Sequence, residues 1–336
     1  MVEVVEVDPQ DEAALRDYWE TEQQAIRHDR PDAIIRTWDS LRNATQTPGP
    51  FYRRELLAAR LDGRTVGVAD LGFWLQGNDH LAGLEVNVLA SHRRRGTGRA
   101  LFEEGERRRR ALGRTSVSGE AYVGEGQTLE TSAAGLFATA MGMTSAHQED
   151  HLALRLPVDE TQVSRLRDAV AGHASAYDVV TWGDRCPDEH VEAFCAMNTQ
   201  MSADVPSGAL DVEAVVWDEA RLRSSEERTA RSFHRVIAAA RRRDDGVLGG
   251  YTLLYLPHGE EHVLQDDTLV MPEHRGSRLG TVLKLATLDI VRRDHPERQT
   301  LHTWTEPDNH AMYRTNLGFG YVAVERMHEM QLKDGV

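Results

Sequence analysis

The chain has 336 residues, 40% of them hydrophobic, and a formal net charge of −15. That length suits two domains, and the apolar fraction supports ordinary packed cores, which excludes general disorder. The acidic balance excludes a broad nucleic-acid surface and points toward a cationic or amine partner.

In chain order, residues 11–28 form a polar segment with apolar positions at Ala14, Leu15, Tyr18 and Trp19, the spacing of a helix. Residues 55–61 and 65–73 flank Asp62-Gly63, residue types that suit a tight hairpin reversal. A strand at 84–89, an arginine- and glycine-bearing loop and a helix from Thr97 to about Leu112 follow, the helix stopped by Gly113. A strand near 115–122, a small-residue helix around 132–141 and a closing strand at 152–156 complete the first half.

The second half replays this order. A helix near 188–201 precedes strands at 233–240 and 248–256, joined through Asp245-Gly246. After a second loop, Leu279, Val282, Leu283, Ala286 and Ile290 share one helical face, until Pro296 breaks the run. A strand at 301–305, a helix at 308–316, Gly318-Phe319 and a last strand at 321–327 end the chain, and Gly142-Met143 takes the place of Gly318-Phe319 in the first half. We therefore expect two α+β domains of similar topology, at 1–156 and 177–336, joined by a linker at 157–176.

Cys186 and Cys195 are the only cysteines; with no CxxC and no histidines at zinc spacing, they read as buried free thiols, and no metal is expected. No apolar run approaches membrane-spanning length, and Met1 leads directly into acidic, mixed sequence. The expected setting is cytoplasmic, without membrane or nucleic-acid partners. Arginine supplies nearly all the basic charge, since Lys284 and Lys333 are the only lysines.

The loops carry the chemical signal. Val88, His92, Arg93 and Gly98 meet Val270, His274, Arg275 and Gly280 at a constant offset of 182 positions. A strand, a glycine-bearing loop and a helix N-terminus together bind phosphorylated ligands, because backbone N–H groups point outward, the helix dipole favours negative charge and glycine admits close approach. Neither loop has the Gly-Lys-Ser/Thr of a P-loop or a G-x-G-x-x-G fingerprint. A glycine turn that only packs helix on strand explains one copy but not the repeated arginines.

Arg93-Arg94-Arg95-Gly96-Thr97-Gly98 resembles the Arg/Gln-x-x-Gly-x-Gly/Ala loop of GCN5-related N-acetyltransferases (GNATs), and Arg275-Gly276-Ser277-Arg278-Leu279-Gly280 repeats it with Arg278 where Gly96 stands. The ending Thr303-Trp304-Thr305-Glu306-Pro307-Asp308-Asn309-His310-Ala311-Met312 is also similar to C-terminal halves of two-domain members, mycothiol synthase and its actinobacterial relatives among them. The resemblance covers both halves and implies two tandem GNAT domains. Each would have a mixed, mostly antiparallel sheet flanked by helices and would grip acetyl-CoA as co-substrate. It further implies that Val88, Leu89, Val270 and Met271 pair with the pantetheine arm. The pyrophosphate would meet Arg93, Arg94, Arg95, Gly96, Thr97, Gly98 and Arg99 in one loop and Arg275, Gly276, Ser277, Arg278, Leu279 and Gly280 in the other, with Asn309 and Met312 beside the cofactor. If the Arg278 position needs positive φ, arginine there costs on the order of 1–2 kcal/mol; if it is helical, its amide still donates.

Acetyl transfer to an amine needs a base, a polarised carbonyl and a stabilised leaving thiolate. The family commonly takes its acid from a tyrosine ahead of the terminal Gly-Phe. Five residues before Gly318 stands Tyr313, and five before Gly142 stands Phe137, so the resemblance implies chemistry in the second domain with Tyr313 as acid. A packed aromatic is the competing reading of Tyr313, and Asn316 or Asn309 are alternative donors. Glu85 and Asp267, each eight residues before the loop arginine, are candidate bases; an acid paired with a local arginine is the competing reading. His302 and His310 stand behind them. Arg107 to Arg110 suit either a CoA 3′-phosphate or a solvated helix face. Residues 201–223, with Asp204, Pro206, Asp211, Glu213 and Trp217, suit an acceptor wall or a plain connection. The expected function is acetyl-CoA-dependent N-acetyl transfer to a primary amine of a small molecule by direct attack on the thioester, in a monomer or homodimer. A non-catalytic acetyl-CoA sensor and a mycothiol-synthase-like acyl transfer are the alternatives.

Overall fold

The computed structural model describes residues 2–30, 32–173, 175–204 and 208–335. The chain begins with β1 (Glu3–Val7), α1 (Glu12–Arg27), α2 (Trp38–Gln46), β2 (Tyr52–Leu61), β3 (Arg64–Trp74), β4 (Leu81–Val88), α3 (Thr97–Ala111), β5 (Ser116–Gly124) and α4 (Ala133–Ala140). It continues with β6 (Thr144–Arg155), α5 (Glu160–Val170), β7 (Tyr177–Trp182), α6 (Val191–Asp204), α7 (Glu219–Thr229), β8 (Phe233–Arg242), β9 (Leu248–Pro257) and β10 (His262–Val270). The last elements are α8 (Leu279–Asp294), β11 (Thr300–Thr305), α9 (His310–Phe319) and β12 (Val322–Lys333).

Two compact units result, and they do not follow the halves of the sequence. Unit 1 is Met1–Gln148 with Ser207–Glu213 and Glu325–Val336; unit 2 is Glu149–Pro206 with Ala214–Val324. In unit 1 the strand order is β1-β2-β3-β4-β5-β12, and in unit 2 it is β6-β11-β10-β9-β8-β7. Each sheet is thus completed by a strand from the opposite half. Glu325–Lys333 pair with β5, and Asp150–Arg155 pair with β11. The stretch at 157–176 holds α5, capped by Asp159, which buries Val163 and Val170 in the core of unit 2.

Local chemistry explains the shared plan. Asp62 and Gly63 both adopt positive φ, 50° and 77°, the conformation that joins β2 to β3 with matching twist. α1 starts where the Asp11 carboxylate accepts from the Ala13 and Ala14 amides, and it buries Leu15 and Tyr18. Helices cover both faces of each sheet. In unit 1, Leu101 and Phe102 of α3 pack on one face, and Leu15 and Leu41 of α1 and α2 on the other. In unit 2, α5, α8 and α9 cover one face through Val163, Leu288 and Phe319, while α6 and α7 cover the other through Phe194 and Leu222. Each fully buried leucine contributes about 1.5–3 kcal/mol. Cys186 and Cys195 are buried free thiols of the second face, and burial raises the pKa of both, that of Cys186 to about 12. Among the described residues, no helix is long and apolar enough to cross a membrane.

Candidate active site

In each unit one parallel strand pair opens soon after it begins. The pairing of β4 with β5 covers Leu81–Gly83, and that of β10 with β11 covers His262–Leu264. Beyond these residues, among the described residues, β4 and β10 pair only with β3 and β9, and each runs on into a single 3-10 turn, Ala90–His92 or Pro272–His274.

The two loops share a backbone but not their glycines. In the first, Arg94 (φ 61°) and Gly96 (φ 86°) are left-handed; in the second, Gly276 (φ 87°) and Arg278 (φ 52°) are. The same two positions are left-handed in both loops, each loop puts glycine at a different one, and the strain falls on the arginine at the other. Arg278 therefore does sit at positive φ, at a cost of about 1–2 kcal/mol, and its Nη1 donates to the Ala169 carbonyl at 3.1 Å.

The helices that follow are the informative part. α1, α2, α4, α5, α7 and α9 each start with a side chain bonded to their first amides, whereas α3 and α8 have no side-chain cap. Their leading N–H groups stay available to an anion. Arg93 and Arg275 act mainly as staples. Arg93 Nε donates to Val88 O (3.0 Å) and Nη2 to Ala25 O (3.2 Å), with an ion pair to Asp29; Arg275 Nε donates to Val270 O (3.1 Å) and Nη2 to Asp204 (2.6 Å). His274 is buried, with Tyr177 Oη 2.8 Å from its Nδ1.

Unit 2 has an open cleft of about 1050 Å³ at this point. Thr268, Leu269 and Val270 of β10 form one wall, Thr303, Trp304 and Thr305 of β11 the other, and Gly276, Arg278, Leu279 and Gly280 its mouth. Asn309 and Met312 also line it, joined by the N-cap bond from the Met312 amide to Asn309 Oδ1 (3.2 Å). Of the stretch at 201–223, Met201 and Asp204 reach the cleft. Asp211 and Glu213 belong to unit 1, bonded to Ser116 and Asn78, Trp217 packs in the core of unit 2, and Pro206 lies outside the described residues.

A β-bulge decides which acid faces the cleft. On β10, Gln265 pairs with Leu254 but Thr268 pairs with Thr252, so Asp266 and Asp267 together oppose Leu253. Counted back from the loop, Glu85 corresponds to Asp267; counted forward from the parallel start, Leu81 and His262, it corresponds to Asp266. The extra residue separates the two counts. Asp267 accepts from Tyr251 Oη at 2.7 Å and is held against the core. Asp266 lines the cleft. Solvent reaches its carboxyl through the opening, yet the enclosing walls, and then Asp267, push its pKa up to about 8. The sequence offers one hint, two adjacent acids, Asp266 and Asp267, within one strand.

The end of α9 corrects a second register. Gly142 and Gly320 both have positive φ, each bonds three residues back, and the following amides bond five back (Met143 to Ala138, Tyr321 to Asn316). Gly142 therefore matches Gly320, while Gly318 is still helical. The counterpart of Phe137 is Thr315, which lines the cleft, and not Tyr313. The Tyr313 ring packs against the core, and its hydroxyl donates to Asp150 at 2.9 Å. Asn316 is buried too, between Lys284 Nζ (2.8 Å) and Thr305 Oγ1 (2.9 Å). His302 is buried beside His151, its Nδ1 2.9 Å from Nε2, and His310 is exposed on the first turn of α9.

In unit 1 the corresponding space is bridged. Glu85 Oε1 accepts from the Glu120 amide at 2.9 Å, tying β4 to β5 past the end of their pairing. Burial, and then Glu120, raise the pKa of Glu85, opposed by that amide bond. Arg30 lies 3.4 Å over the Tyr122 ring and grips Glu325 through two bonds of 2.8 and 2.7 Å. The Phe137 ring rests on Gly98, where an added Cβ would stand 3.0 Å away, so an aromatic covers the first turn of α3. Arg107 and Arg108 pair with Glu104, Arg108 also with Glu6 and Glu55, and Arg109 with Glu106 and Asp334.

Comparison with known proteins fits this anatomy. Residues 205–319 match the acetyltransferase (GNAT) family model. Over 100% of its length the chain also matches a tandem GNAT protein from the clavulanic acid biosynthesis pathway, solved without AcCoA, with a TM-score of 0.82, 25% identity and 99% of that chain covered. The chain has the fold of a tandem GNAT protein and carries a GNAT acetyltransferase domain, so it is an acyltransferase. A GCN5-related N-acetyltransferase from Sphaerobacter thermophilus shares the fold at 15% identity (TM-score 0.63, 100% of this chain and 97% of that one). So does the N-myristoyltransferase of Saccharomyces cerevisiae, at 9% identity (TM-score 0.62, 99% and 79%). No curated protein matches the sequence. GNAT proteins take acetyl-CoA as co-substrate and acylate small-molecule or protein amines, so acyl-CoA-dependent acetyl transfer is the general chemistry of this one.

Proposed function

We propose that unit 2 transfers the acetyl group of acetyl-CoA to the primary amine of a small molecule by direct attack on the thioester, and that unit 1 carries no chemistry. One observation supports this above the others: the uncapped start of α8 opens into a cleft beside the unpaired edge of β10, whereas the matching space at α3 is filled. The residues fit the co-substrate. Amides of residues 276–280 and the dipole of α8 suit a diphosphate, and the β10 edge from Thr268 to Val270 offers main-chain partners to the amides of a pantetheine arm.

Asp266 takes the proton of the incoming ammonium, which frees the nitrogen lone pair. Main-chain donors at the bulge steady charge on the carbonyl oxygen as the tetrahedral species forms. The carbon–sulfur bond breaks, and the proton held by Asp266 passes to the departing thiolate. A base with a pKa near working pH suits both transfers.

The test is calorimetric titration with CoA, followed by thiol release from acetyl-CoA over a panel of small amines. One CoA bound per chain and amine-dependent release are expected. No heat on CoA addition would sink the reading; binding without release for any amine would leave a sensor in its place.

A further inference from the structure

Lys284 is one of two lysines in the chain, and it lies in the cleft wall of unit 2. The residue is 4% exposed. Its Nζ donates to Asn316 Oδ1 at 2.8 Å and stands 5.7 Å from the Tyr321 ring. Asn316 is held in turn by its bond to Thr305. A neutral amide oxygen and an aromatic face are weak compensation for a buried ammonium, and among the described residues no carboxylate pairs with it. Burying such a charge without an ionic partner is costly.

The fold itself does not require this charge. At the same place on α3 stands Phe102, and the counterpart of Asn316 on α4 is Ala138; both pack in the apolar core of unit 1. Unit 2 thus keeps a polar pair where unit 1 builds the same helix contact from apolar side chains. Lys284 follows the left-handed Arg278 by six residues, so it lies about 9 Å along α8 from the anion-binding mouth, deeper in the cleft.

We infer that Lys284 is an internal acyl acceptor, acetylated on Nζ by the acetyl-CoA held in its own cleft. The inference rests on the proposal that unit 2 binds acetyl-CoA. The neutral amine attacks the thioester carbonyl, a carbon–nitrogen bond forms as the carbon–sulfur bond breaks, and the proton lost by nitrogen goes to the thiolate. The products are N-acetyl-lysine and CoA thiol, with no further reactant. Burial lowers the pKa of Lys284 to about 7, so the nucleophilic form is abundant at neutrality, where an ordinary lysine is almost wholly protonated. The bond to Asn316 occupies one N–H and leaves the lone pair free to turn toward the cleft.

The experiment incubates the full chain with acetyl-CoA and follows intact mass and a peptide map, with CoA titration calorimetry on the same preparations. A single acetyl adduct on the Lys284 peptide is expected, formed at least about tenfold faster than on Lys333, with a rate constant unchanged on dilution of the protein. Lys333→Arg should keep the adduct. Lys284→Arg and Lys284→Met should lose it while still binding CoA, and thermal unfolding checks that both fold. CoA binding with an unmodified Lys284 peptide, or an adduct only on Lys333 or the amino terminus, overturns the inference. Absence of CoA binding in the unaltered chain removes the acyl-CoA reading itself, so the two failures are distinguishable.

Discussion

The two loops are near-copies in backbone, and the two clefts behind them are opposites. Both loops place residues at the same pair of left-handed positions, both staple an arginine back to the preceding strand, and both leave a helix start uncapped. Yet Phe137 covers Gly98 in unit 1, where an added Cβ would stand 3.0 Å from its ring, while at Gly280 in unit 2, with Thr315 in place of Phe137, an added Cβ would meet only Thr268 Cγ2 at 3.7 Å. Glu85 reaches across to the Glu120 amide, whereas the bulge turns Asp266 into the cleft. A loop motif reports the fold. The side chains opposite it decide whether a ligand enters.

The contrast is sharpest in the acids. Asp266→Asn should lower kcat by about 10²–10⁴-fold if Asp266 is the base, while Glu85→Gln should leave acetyl transfer unchanged; equal losses would erase the distinction between the units. With the unaltered chain, kcat/KM should climb with pH and level off near 8, the pKa of Asp266, because the ionised carboxylate is the working form. The same shift carries a stability cost. A folded pKa above the unfolded value means that the native state holds more protons between about 4 and 8, so stability falls as pH rises through that window. Asp266→Asn should therefore raise Tm at neutral pH, a gain that vanishes in acid.

Phe137→Thr, which gives unit 1 the cleft residue of unit 2, is expected to raise CoA stoichiometry measured by calorimetry from one toward two per chain. An unchanged value would mean that the Glu85 bridge alone keeps unit 1 closed. Tyr313→Phe removes a bond to Asp150 and should cost about 1 kcal/mol in denaturant unfolding with turnover within a few-fold; a loss of two orders of magnitude or more would restore the phenol as acid. The smallest effect belongs to Arg94→Gly. It relieves a left-handed arginine and should stabilise by about 1 kcal/mol, whereas Arg278→Gly also forfeits the bond to Ala169 and should come out near neutral.

Much of this architecture was legible in the sequence because its signals are local. The Asp62-Gly63 turn, the strand-loop-helix repeats and the helical spacing after Leu279 each depend on neighbours a few positions apart, and they led to two tandem GNAT folds. The site was harder to read because it depends on phase. One added residue in β10 made a fixed offset point to Asp267 when the chain turns Asp266 inward. Gly318-Phe319 looked like the end of α9, but the helix runs on to Gly320, which moved the tyrosine count by two residues. The traded strands left no local trace, since the pairing of β12 with β5 joins residues about two hundred positions apart.

That trade has a consequence for how the protein is made. Unit 1 lacks its outer strand, and Arg109 lacks the Asp334 carboxylate bonded at 2.7 and 2.8 Å, until the ribosome has synthesised residues 325–335. Its first 148 residues must wait, with β5 unpaired along one side, through the synthesis of nearly everything else. Severing the gene between its repeats should yield two insoluble fragments, each missing a piece that the other encodes.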